Sequence, residues 1–291
     1  MKDEAAMTQR LYRSLKQLPG IRALIQTPWW KVRRHRLTLA LSPRRNCHFT
    51  CFLRLPTQFE ALSGPVLDFL TQNASAKPLD IAVIGCSTGA EAYSIASVLR
   101  QRHPDLVFTV RAYDIDRECI EKARNGRYTP EEVFRTDLSG STTVTANFVG
   151  VTFDIEDGCY VVKREVRKHV RFGLADALDP NLKERIGSAD IVYAQHVLIH
   201  LAAHNAKRAF RNICLLLNPR AVLFVAGMDL HILQEQTRKH GLIPSGYKLE
   251  EIYRELNAYS DGWPWNYSAL EPFMTVRKEW HRRYSTIFFK A

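Results

Sequence analysis

Apolar residues along the chain follow two rhythms, and the change falls near residue 79. Ahead of it, Leu11, Leu15 and Leu18 recur at helical spacing within residues 5–19 before Pro19-Gly20. That spacing predicts an amphipathic helix with a built-in stop. From residue 79 onward short apolar runs take over, at 81–84, 106–110, 170–174, 191–194 and 221–226. Runs of this length read as strands buried on both faces. Between them Ala92, Ile95, Ala96 and Leu99 share one side of a helix, and residues 118–123 and 203–217 read as further helices. Alternation of strand and helix winds a mostly parallel sheet covered on both faces, an α/β doubly wound architecture.

Residues 127–168 break the rhythm. A Ser/Thr-rich stretch at 139–145 precedes two short strand-like runs, 152–155 and 160–163, with Asp157-Gly158 between them. Asp-Gly flanked by such runs predicts a tight hairpin, so a small antiparallel β insertion is expected over about residues 135–168. A C-terminal extension of about 228–283 is expected to carry a helix at 248–258 and an aromatic stretch at 263–267, ahead of a last strand at 284–289. No internal repeat is visible. The expected division is a short N-terminal helical and basic segment, residues 1–70, and a main domain, residues 71–291.

Composition narrows the class only a little. An apolar share of 46% and a charged share of 24% are those of an ordinary globular chain. No apolar run approaches the roughly 20 residues that span a bilayer, and Met1-Lys2-Asp3-Glu4 lacks the apolar core of a signal peptide. A cytoplasmic protein without a transmembrane segment is therefore expected. The six cysteines (Cys47, Cys51, Cys86, Cys119, Cys159 and Cys214) are scattered, several within apolar stretches, as free thiols are. Cys47 and Cys51 flank His48, but no second Cys/His pair stands at zinc-ligand spacing, so no metal is expected.

The formal net charge is +11, which favours acidic partners: a protein face, a nucleic acid or an anionic membrane. Much of it is local, in Lys31, Arg33, Arg34, Arg36, Arg44 and Arg45 near one end and Arg277, Lys278, Arg282 and Arg283 near the other. A solvated basic surface accounts for the same residues. Nucleic acid is disfavoured, because no motif that reads bases is visible. Trp29-Trp30, beside the first basic cluster, reads as packing of the N-terminal segment in preference to contact with a membrane, a base or an aromatic substrate.

The chemistry concentrates in the turn after the first buried strand, Gly85-Cys86-Ser87-Thr88-Gly89-Ala90-Glu91. A glycine-bearing turn at the carboxyl end of a strand, opening a helix, is where open α/β sheets hold nucleotide-like ligands. Here the spacing is G-x-x-x-G. It matches neither the dinucleotide fingerprint nor the phosphate loop with its lysine, so nothing is built for a pyrophosphate. Asp114, at the end of the second strand, suits a grip on ribose hydroxyls. A nucleoside cofactor without phosphates follows, and S-adenosylmethionine (SAM) fits.

Six ordered segments then resemble one family. Asn46-Cys47-His48-Phe49-Thr50-Cys51-Phe52-Leu53-Arg54 is similar to T-T-N-x-T-x-F-F-R. Cys86-Ser87-Thr88-Gly89-Ala90-Glu91-Ala92-Tyr93-Ser94-Ile95-Ala96 is similar to C-S-T-G-E-E-P-Y-S-I-A. Tyr113-Asp114-Ile115-Asp116 resembles T-D-I-D, and Ala123-Arg124-Asn125-Gly126-Arg127-Tyr128 resembles A-R-x-G-x-Y. Val170-Arg171-Phe172 with Asp176-Ala177-Leu178 resembles V-x-F…N-L-L. The run from Asp190 through Tyr193-Ala194-Gln195-His196-Val197-Leu198-Ile199-His200 resembles F-D-x-I-x-C-R-N-V-L-I-Y. Together these resemble the chemotaxis-receptor (CheR-type) methyltransferases, class I SAM enzymes that esterify glutamates on chemoreceptors.

The resemblance implies a class I SAM-methyltransferase (Rossmann-like) fold. It places Gly85, Cys86, Ser87, Thr88, Gly89, Glu91, Asp114, Ile115, Asp176, Ala177 and Gln195 at the cofactor. Glu91 and Asp114 would grip the amino-acid and ribose parts, and Asp176 with Ala177 would border the adenine. Arg54 would lie near the transferring methyl group, where a guanidinium could orient a carboxylate. Tyr128 reads either as a lid over the cofactor or as packing.

The departures lie on the acceptor side. Gln195-His196 replaces R-N, His200 replaces a tyrosine, and His48 replaces an asparagine. His196 and His200 would stand one turn apart on a helix, and either could act as a base or shape the pocket. Trp263, Trp265 and Tyr267 could line an aromatic acceptor site or form a satellite core. The expected function is methyl transfer from SAM to an O or N acceptor, a small molecule or a non-standard protein site. The alternatives are a chemoreceptor glutamate O-methyltransferase and a non-catalytic SAM-binding regulator.

Overall fold

The computed structural model describes residue 21 and residues 27–42, 49–72, 77–136, 141–258, 267 and 270–291. The helix expected at 5–19, His48 with Cys47, and the tryptophans Trp263 and Trp265 lie outside the described residues. The chain forms two compact units, Met1–Pro43 with Ser260–Phe273, and Arg44–Tyr259 with Met274–Ala291.

The smaller unit carries Tyr267 and helix α1 (Pro28–Leu41). Proline enters α1 at its first turn, and Thr27 Oγ1 caps it by accepting the Trp30 N–H at 3.3 Å. Val32, His35 and Thr38 are buried, whereas Trp29 is 58% exposed with the Arg33 guanidinium 4.6 Å from its ring centre. Trp29 therefore stacks with a cation within this unit.

The larger unit opens with two short helices, α2 (Pro56–Ala61) and α3 (Leu67–Thr71), on either side of a kinked turn at Leu62–Val66. The alternation that follows is strand β1 (Leu79–Ile84), helix α4 (Ala90–Arg102), strand β2 (Phe108–Asp114) and helix α5 (Arg117–Asn125). After the insertion come β6 (Val170–Leu174), α9 (Leu182–Ile186), β7 (Ala189–Gln195), α10 (Ala203–Leu215) and β8 (Leu217–Ala226). Helix α11 (Leu230–Lys239), strand β9 (Ile243–Pro244), α12 (Leu249–Asn257), α13 (Trp280–Tyr284) and β10 (Ile287–Lys290) complete the unit.

Seven strands form one sheet in the order β6-β2-β1-β7-β8-β10-β9. The first five run parallel, and β10 and β9 pair antiparallel at the far edge. Along β1, Ile81 and Val83 point into one core with Ile95, Leu99 and Phe224, while Ala82 and Ile84 point into the other with Phe210 and Ile213. Both faces are thus covered, as the short apolar runs predict. This is the class I, Rossmann-like fold. No helix among the described residues is long and apolar enough to cross a membrane.

The insertion is a three-stranded antiparallel sheet in the order β3-β5-β4, built from β3 (Arg127–Tyr128), β4 (Phe153–Glu156) and β5 (Cys159–Val162). Asp157 and Gly158, both at positive φ (49° and 74°), make the two-residue hairpin turn. Short helices α6 (Pro130–Val133), α7 (Ala146–Thr152) and α8 (Arg164–Arg167) fill out the segment.

Phe52 ties it to the main body, its ring lying edge-on to Tyr128 at 5.0 Å and Phe153 at 5.1 Å and tilted against Phe148 at 6.2 Å. Tyr128 is itself buried, and its hydroxyl donates to the Thr88 carbonyl at 2.5 Å. It packs beneath the cofactor turn and is not a lid. Phe52→Ala is expected to remove about 3–5 kcal/mol of stability by leaving a cavity among these rings, read as a lower urea midpoint at unchanged slope.

Candidate cofactor and acceptor cleft

The turn after β1 is held open by backbone conformation. Gly85 (φ 74°), Ser87 (φ 47°) and Gly89 (φ 89°) are all left-handed. A Cβ on Gly85 would meet Val197 Cγ2 at 2.0 Å, and one on Gly89 would meet Ala123 at 2.9 Å and Phe172 at 3.0 Å. Glycine is therefore needed at both places, at the first for close approach to the strand opposite and at the second for packing of α5 and β6. Ser87 bears its left-handed conformation while its N–H donates to Asp114 Oδ2 at 2.7 Å. Asp114 Oδ1 accepts the Asp116 N–H at 3.0 Å. A carboxyl group held by two backbone donors keeps further lone pairs for hydroxyls.

These residues line a cleft at the carboxyl ends of β1, β2, β6 and β7, with an empty volume of about 1050 Å³ including its open mouth. It brings together Gly85, Cys86, Ser87, Glu91, Asp114, Ile115, Asp176, Ala177 and Gln195 with Arg54, His196 and His200. Thr88 and Gly89 are not in its wall; the carbonyl of the first receives Tyr128, and the second packs on Phe172. Ile115, 60% exposed, gives an apolar edge beside Asp114. Asp176 turns the chain by accepting the Leu178 N–H on Oδ1 at 2.8 Å. Phe49, Thr50, Cys51, Ile84, Ala175, Leu178, Val197 and Leu201 also line the cleft, and none was singled out as a site residue in the sequence. Their only signal was position inside or next to the six motif-like segments, since small and apolar side chains advertise no chemistry.

Arg54 reaches the cleft from a strained approach. Leu53 has φ 46°, and its N–H donates to Ser94 Oγ at 3.1 Å, so helix α4 fixes the chain just ahead of the arginine. The guanidinium lies 4.9 Å from the Phe49 ring centre, and Arg135 stands at the same distance from that ring. Across the cleft, β7 ends at Gln195 and the chain turns sharply at His196, φ 56°. The His196 N–H donates to the Ala226 carbonyl at 2.8 Å, and Gly227 makes room, because a Cβ there would meet His196 Cα at 2.7 Å. Residues Leu198–His200 form a single 3-10 turn instead of the α-helix expected from the histidine spacing.

Electrostatics divide the cleft. Three carboxylates (Glu91, Asp114 and Asp176) face one guanidinium, Arg54. Burial pushes the Glu91 carboxyl up to about 7, with the Arg54 charge pulling it back. Burial, then Arg54 and His200, hold His196 well below the usual histidine range, so its imidazole is neutral. Its Nε2 is buried without a hydrogen-bond partner. Burial, reinforced by Asp114 and Glu91, raises the Cys86 thiol well above its usual value, so it is no nucleophile. Among the described residues no group of three or more His, Cys, Asp or Glu is placed to hold a metal ion.

The Glu91 carboxyl keeps its proton up to about pH 7 in the folded chain and loses it near 4.5 when unfolded. Its contribution to stability is fully present below the unfolded value and is lost as pH rises through the folded one. Urea denaturation at several pH values checks this: the advantage of the native chain over Glu91→Gln should shrink between pH 4.5 and 7 and be level above. A constant difference would mean that Glu91 is ionised throughout.

Comparison with known proteins places this geometry. Residues 48–243 match the family model described as CheR methyltransferase, SAM binding domain. "Probable biofilm formation methyltransferase WspC" of Pseudomonas putida is 32% identical over 185 residues, 63% of this chain and 42% of its own length. "Chemotaxis protein methyltransferase 2" of Vibrio cholerae is 27% identical over 180 residues, 60% of each chain. A magnesium protoporphyrin IX methyltransferase from Synechocystis, solved with bound SAM, shares 15% identity over 76% of this chain and 83% of its own, at a TM-score of 0.36. The chain spans less than half the length of the two WspC relatives. With the family model covering two thirds of its residues, the chain belongs to the CheR methyltransferase family and carries that family's SAM-binding domain.

Proposed function

We propose that this chain moves a methyl group from SAM to an oxygen or nitrogen acceptor, on a small molecule or a non-standard protein site. The residues of the cleft fit the cofactor. Two of the carboxylates and an apolar edge suit a nucleoside, and an excess of negative charge repels phosphates while welcoming a sulfonium and an ammonium. Asp114 would take the ribose hydroxyls, Ile115, Asp176, Ala177 and Leu178 the adenine, and Glu91 with Gln195 the amino-acid end. When bound, SAM supplies an activated methyl group on sulfur, so the protein's task is mainly positioning.

The observation that carries the acceptor reading is the neutral, buried His196 with its Nε2 unpartnered at the cleft. A carboxylate acceptor needs no base, whereas a hydroxyl or an amine does. His196 can take that proton, and the burial that keeps it neutral, with the Arg54 charge beside it, also limits how long it holds one. His200, at the end of the 3-10 turn, closes the same wall.

A second reading, a chemoreceptor glutamate as acceptor, is favoured by Arg54, whose fork suits a carboxylate, and by relatives such as the chemotaxis protein methyltransferase of Vibrio cholerae. Labelled SAM offered with a receptor cytoplasmic fragment and, separately, with a metabolite extract distinguishes them. Base-labile label on glutamates would establish the second reading and remove the first. Label in a metabolite, or at another protein site, is the expected result. SAM binding by calorimetry with no transfer to either would identify a non-catalytic binder. Under the first reading His196→Asn should lower kcat by about a hundredfold or more and change SAM affinity less than about twofold; with a carboxylate acceptor the loss in kcat should be slight.

A further inference from the structure

Behind the cleft a line of buried polar side chains runs from Gln195 out to the C-terminal segment through residues assigned no role above. Gln195, at the end of β7, gives its Nε2 proton to Gln58 Oε1 at 2.7 Å. Gln58, on α2, in turn gives its own Nε2 proton to Thr286 Oγ1 at 2.7 Å, just ahead of β10. All three side chains are buried, Gln58 to within 3% of full burial and Gln195 to within 8%. The polarity of the line leaves Gln195 Oε1 as a bare acceptor, buried and without a partner. Gln195 is also a residue of the cleft wall, whereas Gln58 and Thr286 are not.

An orphaned acceptor in a buried wall is costly unless something donates to it. The order of strands indicates what does. Asp114 ends β2, and Asp176 and Ala177 follow β6, on one side of the β1 turn; Gln195 ends β7, on the other. With the ribose at Asp114 and the adenine toward β6, the amino-acid end extends toward β7. Its ammonium is the donor that meets Gln195 Oε1. This step rests on the SAM reading proposed above.

We infer that Gln58 is a positioning residue: through its hydrogen bonds to Gln195 and Thr286 it fixes the Gln195 amide with the oxygen toward the cleft, and so sets recognition of the cofactor's ammonium group. Gln58 is itself held from the same direction. Its neighbour Thr57 gives its backbone N–H to both Glu255 carboxylate oxygens at 3.2 Å and its hydroxyl to Glu255 Oε1 at 2.5 Å. Glu255 is on α12, in the part of the chain that resembles no motif of the family. The late C-terminal segment thus reaches the cofactor wall through α2, by Glu255 on one residue and Thr286 on the next. A free Gln195 would swing its amide among rotamers; bonded to Gln58, it is held in place before any ligand arrives, which is preorganisation.

The test uses Gln58→Met, which keeps the length of the side chain and removes both polar atoms of its amide, and Thr286→Val, which removes the far acceptor at a distance from the cleft. Three probes are titrated by calorimetry: SAM, decarboxylated SAM, which keeps the ammonium, and 5′-methylthioadenosine, which lacks the amino-acid end. Expected for Gln58→Met is a loss of about tenfold in affinity for both ammonium-bearing probes, with 5′-methylthioadenosine unchanged within about twofold. Thr286→Val should give the same pattern with a smaller loss. An equal loss for all three probes would make Gln58 a merely structural residue, and no loss for any would make the line irrelevant; either result overturns the inference. A loss for SAM but none for decarboxylated SAM would also overturn it, because the amide would then face the carboxylate with its nitrogen. Failure of the native chain to bind SAM at all would remove the cofactor reading itself, and this inference with it.

Discussion

An acidic side chain buried at the end of β2 sets the terms for the rest of the cleft. Asp114 is 8% exposed, and a bare charge there would cost several kcal/mol. Two backbone N–H groups stabilise it, from Ser87 and Asp116, one from each side of the β1–β2 pair. The bond from Ser87 requires the β1 turn to curl inward, which puts Ser87 at φ 47° between two glycines at 74° and 89°. A non-glycine residue in that region costs roughly 1–3 kcal/mol, and the charge-assisted bond to Asp114 is of the size that offsets it. The cofactor loop and the acid at the next strand are therefore one mechanical unit: neither conformation is stable without the other.

The opposite wall is built by a second local compromise of the same kind. His196 leaves β7 at φ 56°, and this is possible because Gly227 vacates the space that a side chain on β8 would fill. The turn throws Val197 against Gly85, so the wall carrying the histidines and the turn carrying the cofactor grip touch at one point. A change on either side is felt by the other, without any contact through the ligand.

How far these features are legible in the sequence differs from one to the next, for physical reasons. Continuous apolar runs mark β1, β7 and β8 because strands covered on both faces have no polar period to hide them. Asp157-Gly158 marks its hairpin because both residues tolerate positive φ. The acid of Asp114 and the glycines of the loop are equally plain, since each answers a local demand. Thr88 and Gly89 share the loop's pattern yet face Tyr128 and Phe172, because a turn of five residues cannot present every one of them to the same side. The sharp turn at His196 is hidden because the room for it comes from Gly227, far along the chain. The Gln195–Gln58–Thr286 line joins residues 137 and 228 positions apart, and glutamine carries no periodic or spacing signal at all. Nor does spacing announce Glu255 as the cap on Thr57. What the chain spells out is whatever is decided within a few residues; what it withholds is decided by contact.

Charge separation between surface and cleft follows from the same geometry. The chain carries a net +11, yet the cleft wall has three carboxylates and a single guanidinium. Part of the positive excess is spent on the fold: Arg111 forks onto Asp80 and the Ser188 carbonyl, and Arg282 reaches Glu279 and the Leu242 carbonyl. In the cleft Arg54 has the opposite task. Its charge lowers His196, which burial already keeps neutral, and draws down Glu91, which burial raises to about 7. After burial, the larger cause for both, this one cation moves the two groups in the direction that favours a neutral imidazole beside an ionised carboxylate. That pairing is what proton removal next to a cationic ligand requires, since the imidazole must be free to receive a proton and the carboxylate must be charged to hold an ammonium. Replacing the arginine by a neutral residue would disturb both ionisations together, so its effect could not be assigned to substrate contact alone.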